Sequence, residues 1–408
     1  MRIIIAVSGS HGDVRPMIAL GKYLKSYGHS VLICAAPEDE EFVLKHGLEF
    51  KAVGKHCSYM FDKLLEEKSK LKWGGIMAEY LREEVSLQFD QLPDAVIGAD
   101  MILGAGLQFA SRSFAEHLNV PYRHILHMPQ ALRSSSYPPA GMLPQNNPGF
   151  INNLLWMING RYYNNILIDH INRYRTELKL KSVTSVYDYL TSKIIIASDK
   201  PLAKIPSDVK SEYIQTGYFN LTEEGELDKA LTDFIESGSP PIYVGFGSMP
   251  NFSGKEITGI LMEVTNSLGT RMIISKGWAN LGGDFDLKNV HIIGHVPHAK
   301  LFPKMAAVVH HGGSGTTHTA ARAGVPQIII PHAVDQFFWG EQIFRLKLGP
   351  KPVSIFKLTS RKLIDRISKV YSTSEFKLNA VNIAKELSKT DGIKDTYNYI
   401  TNPKMLYS

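Results

Sequence analysis

The chain has 408 residues, more than one hydrophobic core usually supports, so its length predicts two domains. Hydrophobic residues make up 44% and charged residues 21%, as is typical of a folded globular protein. The formal net charge of +6 is mild for this length, and no helix-turn-helix, RNP or zinc-finger pattern accompanies it. The composition therefore argues against a nucleic-acid-binding protein.

Three features bear on the compartment. Cys34 and Cys57 are the only cysteines, and neither has a CxxC or metal-binding spacing, which favours a reducing environment. The apolar run from Arg2 to Val7 becomes polar at Ser8, so it indicates a strand and not a signal peptide. No apolar run approaches the roughly 20 residues of a membrane span. We expect a cytoplasmic protein and leave a peripheral membrane contact open.

The first half of the chain alternates strands with helices. A strand at residues 3–7 leads into a polar turn at 8–15, a helix at 16–27 that begins with Pro16, and a strand at 30–35. The same pattern predicts further strands at 48–53, 101–105, 121–127 and 194–197, and helices at 38–46, within 57–91 with a break at Gly74-Gly75, up to Leu118, and at 151–180. This alternation predicts a doubly wound parallel sheet.

Residues 129–148 hold five prolines and no periodicity, which predicts a long loop. From His117 to Ile168 there is no Asp or Glu, while Arg123, Arg133 and Arg161 lie among aromatic residues. Such a segment could meet a lipophilic acceptor or a membrane surface. A mobile loop followed by an ordinary packed helix explains it equally well.

A fresh strand at residues 242–245 runs into a Gly/Ser turn just as the first strand does, which indicates a second α/β domain after a linker within 204–238. Strands at 272–275, 290–293 and 307–310 follow. Next comes HHGGSGTT at 310–317, AGVPQIIIP at 323–331 and Asp335-Gln336. A glycine turn that opens a helix presents backbone N–H groups and the positive end of the helix dipole to a phosphate. A diphosphate leaving group fits there.

This full pattern resembles the nucleotide-sugar motif of the family 1 GT-B glycosyltransferases, the UDP-glucosyltransferase superfamily, and especially their sterol and antibiotic branch. The resemblance implies the GT-B fold, with two facing Rossmann-like, doubly wound parallel-sheet domains. Residues 1–215 would bind the acceptor, residues 216–385 would bind the nucleotide sugar, and a C-terminal helix within 386–408 would return to the first domain.

The GSHGDVRP segment at 9–16 resembles the family's GSxGDVxP motif, in which the Asp is the catalytic base. The resemblance assigns that role to Asp13 and places Ser10 at the donor. His11, whose ordinary pKa lies nearer neutrality, is the alternative base. Asp13 could instead cap the helix ahead of Pro16.

The resemblance also implies the donor contacts. Gly247, Ser248 and the residues from His311 to Thr316 would hold the diphosphate, with His311 donating to a phosphate oxygen and His310 left as the packing alternative. Asp335 and Gln336 would bind sugar hydroxyls, although Asp335 could also cap a helix. The backbone of Val296 would read uracil, and His295 or Trp278 would stack on it. In full, the predicted diphosphate residues are Gly247, Ser248, His311, Gly313, Ser314, Gly315 and Thr316.

The Asp284-Phe285-Asp286 triplet has the form of a metal motif, but its polar surroundings indicate solvated surface. We therefore expect no metal and no cofactor beside the nucleotide sugar. The predicted reaction is an inverting transfer of a hexose, with UDP-glucose favoured over a dTDP-deoxysugar, to a hydroxyl of a lipophilic sterol, polyketide, flavonoid or lipid. The alternatives are a sugar-nucleotide epimerase of similar architecture and a non-catalytic nucleotide-sugar-binding partner protein.

Overall fold

The computed structural model describes residues 1–402 except 57–58, 60–62, 64–66, 68, 70–71, 248–253 and 278–287. Its first sheet has seven parallel strands in the order β3-β2-β1-β4-β5-β6-β7. They are β1 Arg2–Ser8, β2 Ser30–Ala35, β3 Glu49–Ala52, β4 Met101–Gly106, β5 Tyr122–Leu126, β6 Ile194–Ile196 and β7 Tyr213–Gln215. The helices of this half are α1 His11–Ser26, α2 Glu40–Lys45, α3 Trp73–Gln91, α4 Pro93–Val96, α5 Ser111–Leu118, α6 Gly149–Glu177 and α7 Val186–Leu190.

Strand β1 explains why this sheet is covered on both faces. Ile3 and Ile5 pack in one core with α1, whereas Ile4 and Ala6 pack in the opposite core with α3, α5 and α6. Alternate side chains of a strand point to opposite faces, so an uninterrupted apolar run suits a strand buried on both sides.

The second sheet has five parallel strands in the order β10-β9-β8-β11-β12. They are β8 Ile242–Gly245, β9 Met272–Ser275, β10 Val290–Ile293, β11 Ala307–His310 and β12 Gln327–Ile329. The remaining helices are α8 Lys229–Glu236, α9 Gly254–Leu268, α10 His298–Leu301, α11 Ser314–Arg322, α12 Gln336–Arg345, α13 Ser360–Ser372, α14 Ser374–Leu387 and α15 Gly392–Ile400. Two doubly wound parallel sheets confirm the predicted fold class.

Several local predictions were wrong. Helix α1 begins at His11 and not at Pro16, because Ser10 takes the extended backbone of an N-cap residue. Pro16 then lies inside the helix, where its missing N–H gives up one hydrogen bond. Gly74-Gly75 do not interrupt α3, because they fall in its first turn, where N–H groups have no intrahelical partner anyway. The sequence analysis also missed β7 and α8.

Contacts between the halves of the chain combine a buried apolar cluster with a buried ion pair. The guanidinium of Arg322 on α11 donates to the carboxylate of Asp199 at 2.7 Å, and Asp199 is fully buried. Breaking a buried pair of this kind typically costs about 3–5 kcal/mol, because one charge is left uncompensated. This ion pair therefore fixes α11 against the end of the first sheet.

The C-terminal helices divide between the two halves. Helix α14 packs on α11, and the side chain of Arg322 donates to the carbonyl of Leu387 at 2.8 Å. Helix α15 packs on α1, where the Tyr397 ring lies 4.5 Å from the Tyr27 ring. The domain limits at residues 215 and 385 themselves stay predictions.

In the described part of the chain, no helix is both long enough and apolar enough to cross a membrane. The 129–148 segment is a loop, as predicted, apart from a short 3-10 turn at Pro129–Ala131. Cys57 lies outside the described residues, and Cys34 is a buried free thiol.

Candidate active site

Each sheet has one point where the strand order reverses direction. In the first sheet it lies between β1 and β4, and in the second between β8 and β11. Open α/β sheets bind ligands outside the carboxyl ends of the strands at such points. The chain segments that leave β1, β8 and β11 there contain Asp13, Gly247 and His311.

Asp13 lies in the first turn of α1. One oxygen of its carboxylate, Oδ2, accepts from the backbone N–H of Ser10 at 2.8 Å and from the Ser10 hydroxyl at 2.9 Å. A Cβ at Gly9 would come within 2.5 Å of the same oxygen, so this carboxylate is held by Ser10 and leaves no room for a side chain at Gly9. Asp13 thus supports the helix start without being its N-cap, which is Ser10.

His11 is paired with a carboxylate. Its Nδ1 lies 2.9 Å from Oδ1 of Asp39, a residue that is almost fully buried, and its ring packs against Phe42. A carboxylate on Nδ1 fixes the tautomer of an imidazole and leaves Nε2 able to accept a proton. His11 therefore keeps the geometry of an alternative base.

The two histidines at the end of β11 have different surroundings. His310 is fully buried, with Nε2 2.9 Å from the side-chain oxygen of Gln327 and Nδ1 accepting from the Gly312 amide at 3.1 Å. His311 instead lies between two glycines. A Cβ at Gly247 would come 3.0 Å from its ring, and a Cβ at Gly313 would come 2.5 Å from its Nε2. His310 is a packing residue, and His311 faces the glycine turns.

The imidazole of His311 is neutral at pH 7. Burial, with a smaller contribution from His298, lowers the pKa of His311 to about 4. Among the described residues its Nδ1 is buried without a hydrogen-bond partner. A neutral ring can still donate one hydrogen bond to a phosphate, but it does not carry the positive charge that would offset a diphosphate.

Helix α11 supplies the donors beside His311. Gly313 is its N-cap, and Ser314, Gly315 and Thr316 form its first turn. The first N–H to bond within the helix is that of Thr317, which donates to the Gly313 carbonyl at 3.0 Å, so the three preceding amides point out of the helix end. Backbone N–H groups in this arrangement suit an anion.

Asp335 and Gln336 begin α12, but they differ in what they contact. The amide oxygen of Gln336 accepts from the backbone N–H groups of His332 and Ala333 at 2.8 and 3.1 Å, which holds the turn before the helix. Asp335 makes no side-chain cap bond and follows Val334, a β-branched residue with a φ of 45°. That backbone conformation is strained for valine, and strain of this kind concentrates at functional sites.

The charges of Asp13 and Asp335 act on each other across the cleft. Burial, followed by the negative charge of Asp13, raises the pKa of Asp335 to about 7. Two carboxylates that share a poorly solvated site resist ionising together. One acid from each half of the chain therefore contributes to the electrostatics of this site.

The loop predicted to recognise the base contains a histidine that contacts an acid. His295 is mostly exposed, and its Nε2 lies 3.2 Å from Oε1 of Glu223, which also pairs with Arg15 of α1. Burial opposes ionisation of Glu223, but the hydrogen bond from His295 and the charge of Arg15 outweigh it and lower the pKa of Glu223 to about 2. Val296 follows in the same loop, and its contact with a base stays a prediction.

Some predicted residues cannot be placed. Ser248, Trp278 and the Asp284-Phe285-Asp286 triplet lie outside the described residues. Within the described ranges, no group of three or more His, Cys, Asp or Glu side chains could hold a metal ion. Trp339, three residues after Gln336, is fully buried against His318 and Phe338.

The sequence analysis missed His127, which follows β5. Its ring nitrogens are buried and have no hydrogen-bond partner among the described residues, while its backbone carbonyl accepts from the Ser314 hydroxyl at 3.3 Å. Burial lowers the pKa of His127, and the nearby charge of Asp13 partly offsets this effect. Position at the carboxyl end of a central strand was the one available signal.

Tyr218 was also missed. Its ring stacks on His318 at 4.4 Å between centroids, and its hydroxyl lies 2.9 Å from where a Cβ on Gly315 would be. Burial raises the pKa of this tyrosine, with Asp13 and Asp335 among the nearby charges. Tyr218 therefore packs against the first turns of α11.

Comparisons with known proteins agree with this architecture. Residues 3–135 match the glycosyltransferase family 28 N-terminal domain, and residues 285–391 match the C-terminal domain of erythromycin biosynthesis protein CIII-like proteins. The vancomycin aglycone glucosyltransferase of Amycolatopsis orientalis is 31% identical over 96% of this chain and 95% of its own length. The chain belongs to the sterol and antibiotic branch of the GT-B glycosyltransferases.

Further relatives support this assignment. A sterol 3-beta-glucosyltransferase of Arabidopsis thaliana is 30% identical to this glycosyltransferase over 96% of the chain and 64% of its own length. The glycosyltransferase of kitacinnamycin has a similar structure, with a TM-score of 0.74 at 16% identity, covering 99% of this chain and 98% of its own. The glycosyltransferase VinC, solved with dTDP, gives a TM-score of 0.70 at 19% identity over 98% of both chains. Family membership makes this chain an enzyme and argues against the epimerase and non-catalytic alternatives.

Proposed function

We propose that this enzyme transfers glucose from UDP-glucose to a hydroxyl of a lipophilic small molecule, with inversion at the anomeric carbon. The observation that carries the proposal is the contact between the two sheet ends, where the Ser314 hydroxyl at the start of α11 donates to the His127 carbonyl after β5 at 3.3 Å, and where the charge of Asp13 acts on Asp335. Relatives named as sterol and vancomycin aglycone glucosyltransferases support glucose and a bulky, largely apolar acceptor.

In the proposed mechanism, the carboxylate of Asp13 takes the proton of the acceptor hydroxyl. The oxygen then attacks the anomeric carbon while the bond to the diphosphate breaks, and this single in-line displacement inverts the configuration. The amides of Ser314, Gly315 and Thr316, with an N–H of His311, would stabilise the charge that develops on the leaving oxygens. Asp335 would accept from sugar hydroxyls and keep the ring in line.

We further propose that the reaction needs neither a metal nor a cofactor beside the nucleotide sugar, and that it takes place in the cytoplasm. The dipole of α11 and its free amides offer the stabilisation that a divalent ion supplies in other phosphate-transfer sites. The test is turnover in excess EDTA. Full activity is expected, whereas loss of activity that Mg²⁺ restores would contradict metal independence.

The donor site is tested by calorimetric titration of the protein with UDP and dTDP. We expect UDP to bind more tightly than dTDP, and His311→Ala to weaken UDP by about 10- to 100-fold, as the loss of a hydrogen bond to a charged group predicts. His291→Ala is the matched control, because His291 lies on β10 and stacks on Phe234 away from the glycine turns. Failure of both diphosphates to bind would refute the donor assignment.

The transfer itself is tested with UDP-glucose and a panel of hydroxylated sterols and polyketides. An NMR spectrum of the product is expected to show the β-glucoside, because the donor is α-linked. An α-glucoside would exclude the single displacement. Turnover with a dTDP-deoxysugar and not with UDP-glucose would change the proposed donor, but it would not change the residues proposed to bind the donor.

A further inference from the structure

Helix α6 is apolar on two opposite sides. Its buried side contributes Trp156, Leu167 and Ile171 to the interior. On the other side, Phe150, Leu154, Met157 and Ile158 are all exposed. Their spacing of four, seven and eight residues places them on one face of a helix. These four residues form what we call the α6 apolar face.

The composition of this face is unusual for a surface helix. Phe150 is 72% exposed and Leu154 is 47% exposed, where an ordinary amphipathic helix would carry charged or polar groups. Scattered exposed apolar residues are normal, but four large ones on two successive turns form a contiguous patch. Patches of this kind mark surfaces that bind a partner or a membrane.

Two arginines lie beside the α6 apolar face. Arg161 lies eleven residues after Phe150, so it follows the same face by one further turn. The guanidinium of Arg133 lies over the neighbouring Gly160, 3.5 Å from where a Cβ would be. No Asp or Glu occurs anywhere from residue 117 to residue 168.

The two arginines share an open depression beside the face. Its volume is about 350 Å³, and Asn153, Asn164 and Ser185 line it together with Arg133, Arg161 and Gly160. Guanidinium groups bind phosphate oxygens with two parallel hydrogen bonds, and amide and hydroxyl groups can complete the set. This is the chemistry of an anionic phosphate headgroup next to an apolar surface.

We propose that the α6 apolar face docks this enzyme on the surface of a bilayer that contains anionic phospholipid. The four apolar side chains would enter the interface between headgroups and acyl chains, while Arg133 and Arg161 would bind headgroup phosphates. A second copy of the chain suits the face less well, because the face carries Arg161 at one end and a two-fold contact would add a second like charge. The helix would lie in the membrane surface and not cross it.

The α6 apolar face lies beside the 129–148 loop. Under the face, the indole N–H of Trp156 donates to the carbonyl of Tyr137 at 2.9 Å, and the Tyr137 ring packs against Phe338 on α12, 5.0 Å between centroids. The 129–148 loop thus connects the docking face to the donor half. If the acceptor is lipophilic, which rests on the proposed function, it could reach the cleft from the membrane beside this loop.

The experiment is sedimentation of the full chain with large vesicles of phosphatidylcholine containing 30 mol% phosphatidylglycerol, against vesicles of phosphatidylcholine alone. We expect binding to the anionic vesicles that weakens as salt rises, because the basic contacts are screened. The double variant F150S/L154S should reduce partitioning at least about ten-fold, since it removes apolar area from the interface. Arg161→Gln should reduce partitioning about five-fold on anionic vesicles only.

Leu378→Ser is the matched control, because Leu378 is an exposed leucine on α14, in the other half of the chain, and its loss should leave partitioning unchanged. Thermal unfolding of each variant checks that the fold is intact, as expected for exposed positions. Titration with UDP separates the two proposals: vesicle binding by a protein that binds no diphosphate would support docking while refuting the donor site.

Three results would overturn the proposal. The first is no binding to anionic vesicles by the wild type. The second is binding that F150S/L154S leaves unchanged, which would place the membrane contact elsewhere. The third is a lipid-free dimer in light scattering that F150S/L154S converts to monomer, which would make the face a contact between copies of the chain.

Discussion

The Nδ1 atom of His11 lies 2.9 Å from Oδ1 of the buried Asp39, whereas the carboxylate of Asp13, two residues later, is bound by Ser10. The two candidate bases therefore lie in the same helix turn, but different residues hold their side chains. His11 has the orientation that a carboxylate imposes on an imidazole, and Asp13 is near enough for its charge to act on Asp335. Substitutions can separate them.

We expect Asp13→Asn to lower kcat by about 10²- to 10⁴-fold, the usual contribution of a general base, with the KM for the donor little changed. His11→Asn and Asp39→Asn should each cost less than about ten-fold, because they remove a neighbour of the base and not the base. The measurement is steady-state kinetics with saturating acceptor. A larger loss for His11→Asn than for Asp13→Asn would make His11 the base.

The pKa of Asp335 predicts a pH dependence of sugar binding. Its carboxyl is protonated below about pH 7 and ionised above it, and the ionised form accepts stronger, charge-assisted hydrogen bonds from the sugar hydroxyls than the neutral acid does. The affinity for UDP-glucose should therefore rise as pH increases through about 7, whereas any rise for UDP, which lacks the sugar, should follow the second ionisation of its own terminal phosphate near about pH 6. Calorimetric titration between pH 5.5 and 8.5 measures both ligands.

Two variants test the cause. Asp335→Asn should abolish the inflection, and Asp13→Asn should move it to lower pH, because the charge of Asp13 contributes to the raised pKa. Because the titration measures binding and not turnover, the inflection can be followed even if the Asp13→Asn variant is inactive. An inflection that persists in Asp335→Asn belongs to another group.

The same raised pKa predicts a stability effect. Below about pH 4 the carboxyl is protonated in both the folded and the unfolded chain, so it does not change the free energy of unfolding. As pH rises toward 7 the carboxyl ionises first in the unfolded chain, and the folded state therefore loses stability. Asp335→Asn should thus stabilise the fold by about 2 kcal/mol at pH 8.5, allowing for partial solvent access, and by nothing at pH 4. Denaturant unfolding at both pH values checks this.

His127 should matter for turnover and not for stability. His127→Phe keeps a ring of similar size and removes two buried nitrogens that have no partner among the described residues, so stability should stay equal or rise. If these nitrogens bind substrate, kcat/KM should fall about 5- to 150-fold, the range for a lost hydrogen bond at a buried site. Unchanged kinetics in His127→Phe would make His127 a packing residue only.

The glycine after His311 predicts a steric effect on donor binding. In Gly313→Ala the new methyl would approach Nε2 of His311 to 2.5 Å and displace the imidazole, so UDP affinity should fall at least about ten-fold. Gly259→Ala in α9 meets nothing within 4 Å and should leave UDP binding unchanged, with a stability gain of up to about 1 kcal/mol from helix propensity. Equal UDP affinity in Gly313→Ala and wild type would show that His311 does not contact the diphosphate.

The sequence predicted most strands. An uninterrupted apolar run such as Ile3–Val7 is typical of a central parallel strand, and the structure buries this run on both faces of the sheet. It did not predict β7, because a strand of three residues after a Pro-containing connection is too short to show an alternating pattern. The start of α1 was misjudged because Pro16 looked like a first-turn residue, while the capping by Ser10 depended on a backbone conformation that sequence does not display.

The same limits apply to the site. Asp13 and the His311 turn follow from motifs in which the residues are contiguous. His127, Tyr218 and Glu223 come from segments that carry no motif, and they reach the cleft only because β5 ends there or because the linker crosses it. The partner of His295 was equally hidden, because Glu223 lies 72 residues earlier in the chain.

Helix α15 has a practical consequence for recombination between relatives. It packs on α1 through Tyr397, and Thr396 donates to the Thr216 hydroxyl at 2.9 Å, so the last helix shares an interface with the first half of the chain. A chimera with a single junction in the linker would join α1 from one parent to α15 from the other and create a mismatched surface. A donor half is exchangeable as an inserted cassette with a second junction between α14 and α15, so that acceptor specificity and the last helix are inherited together.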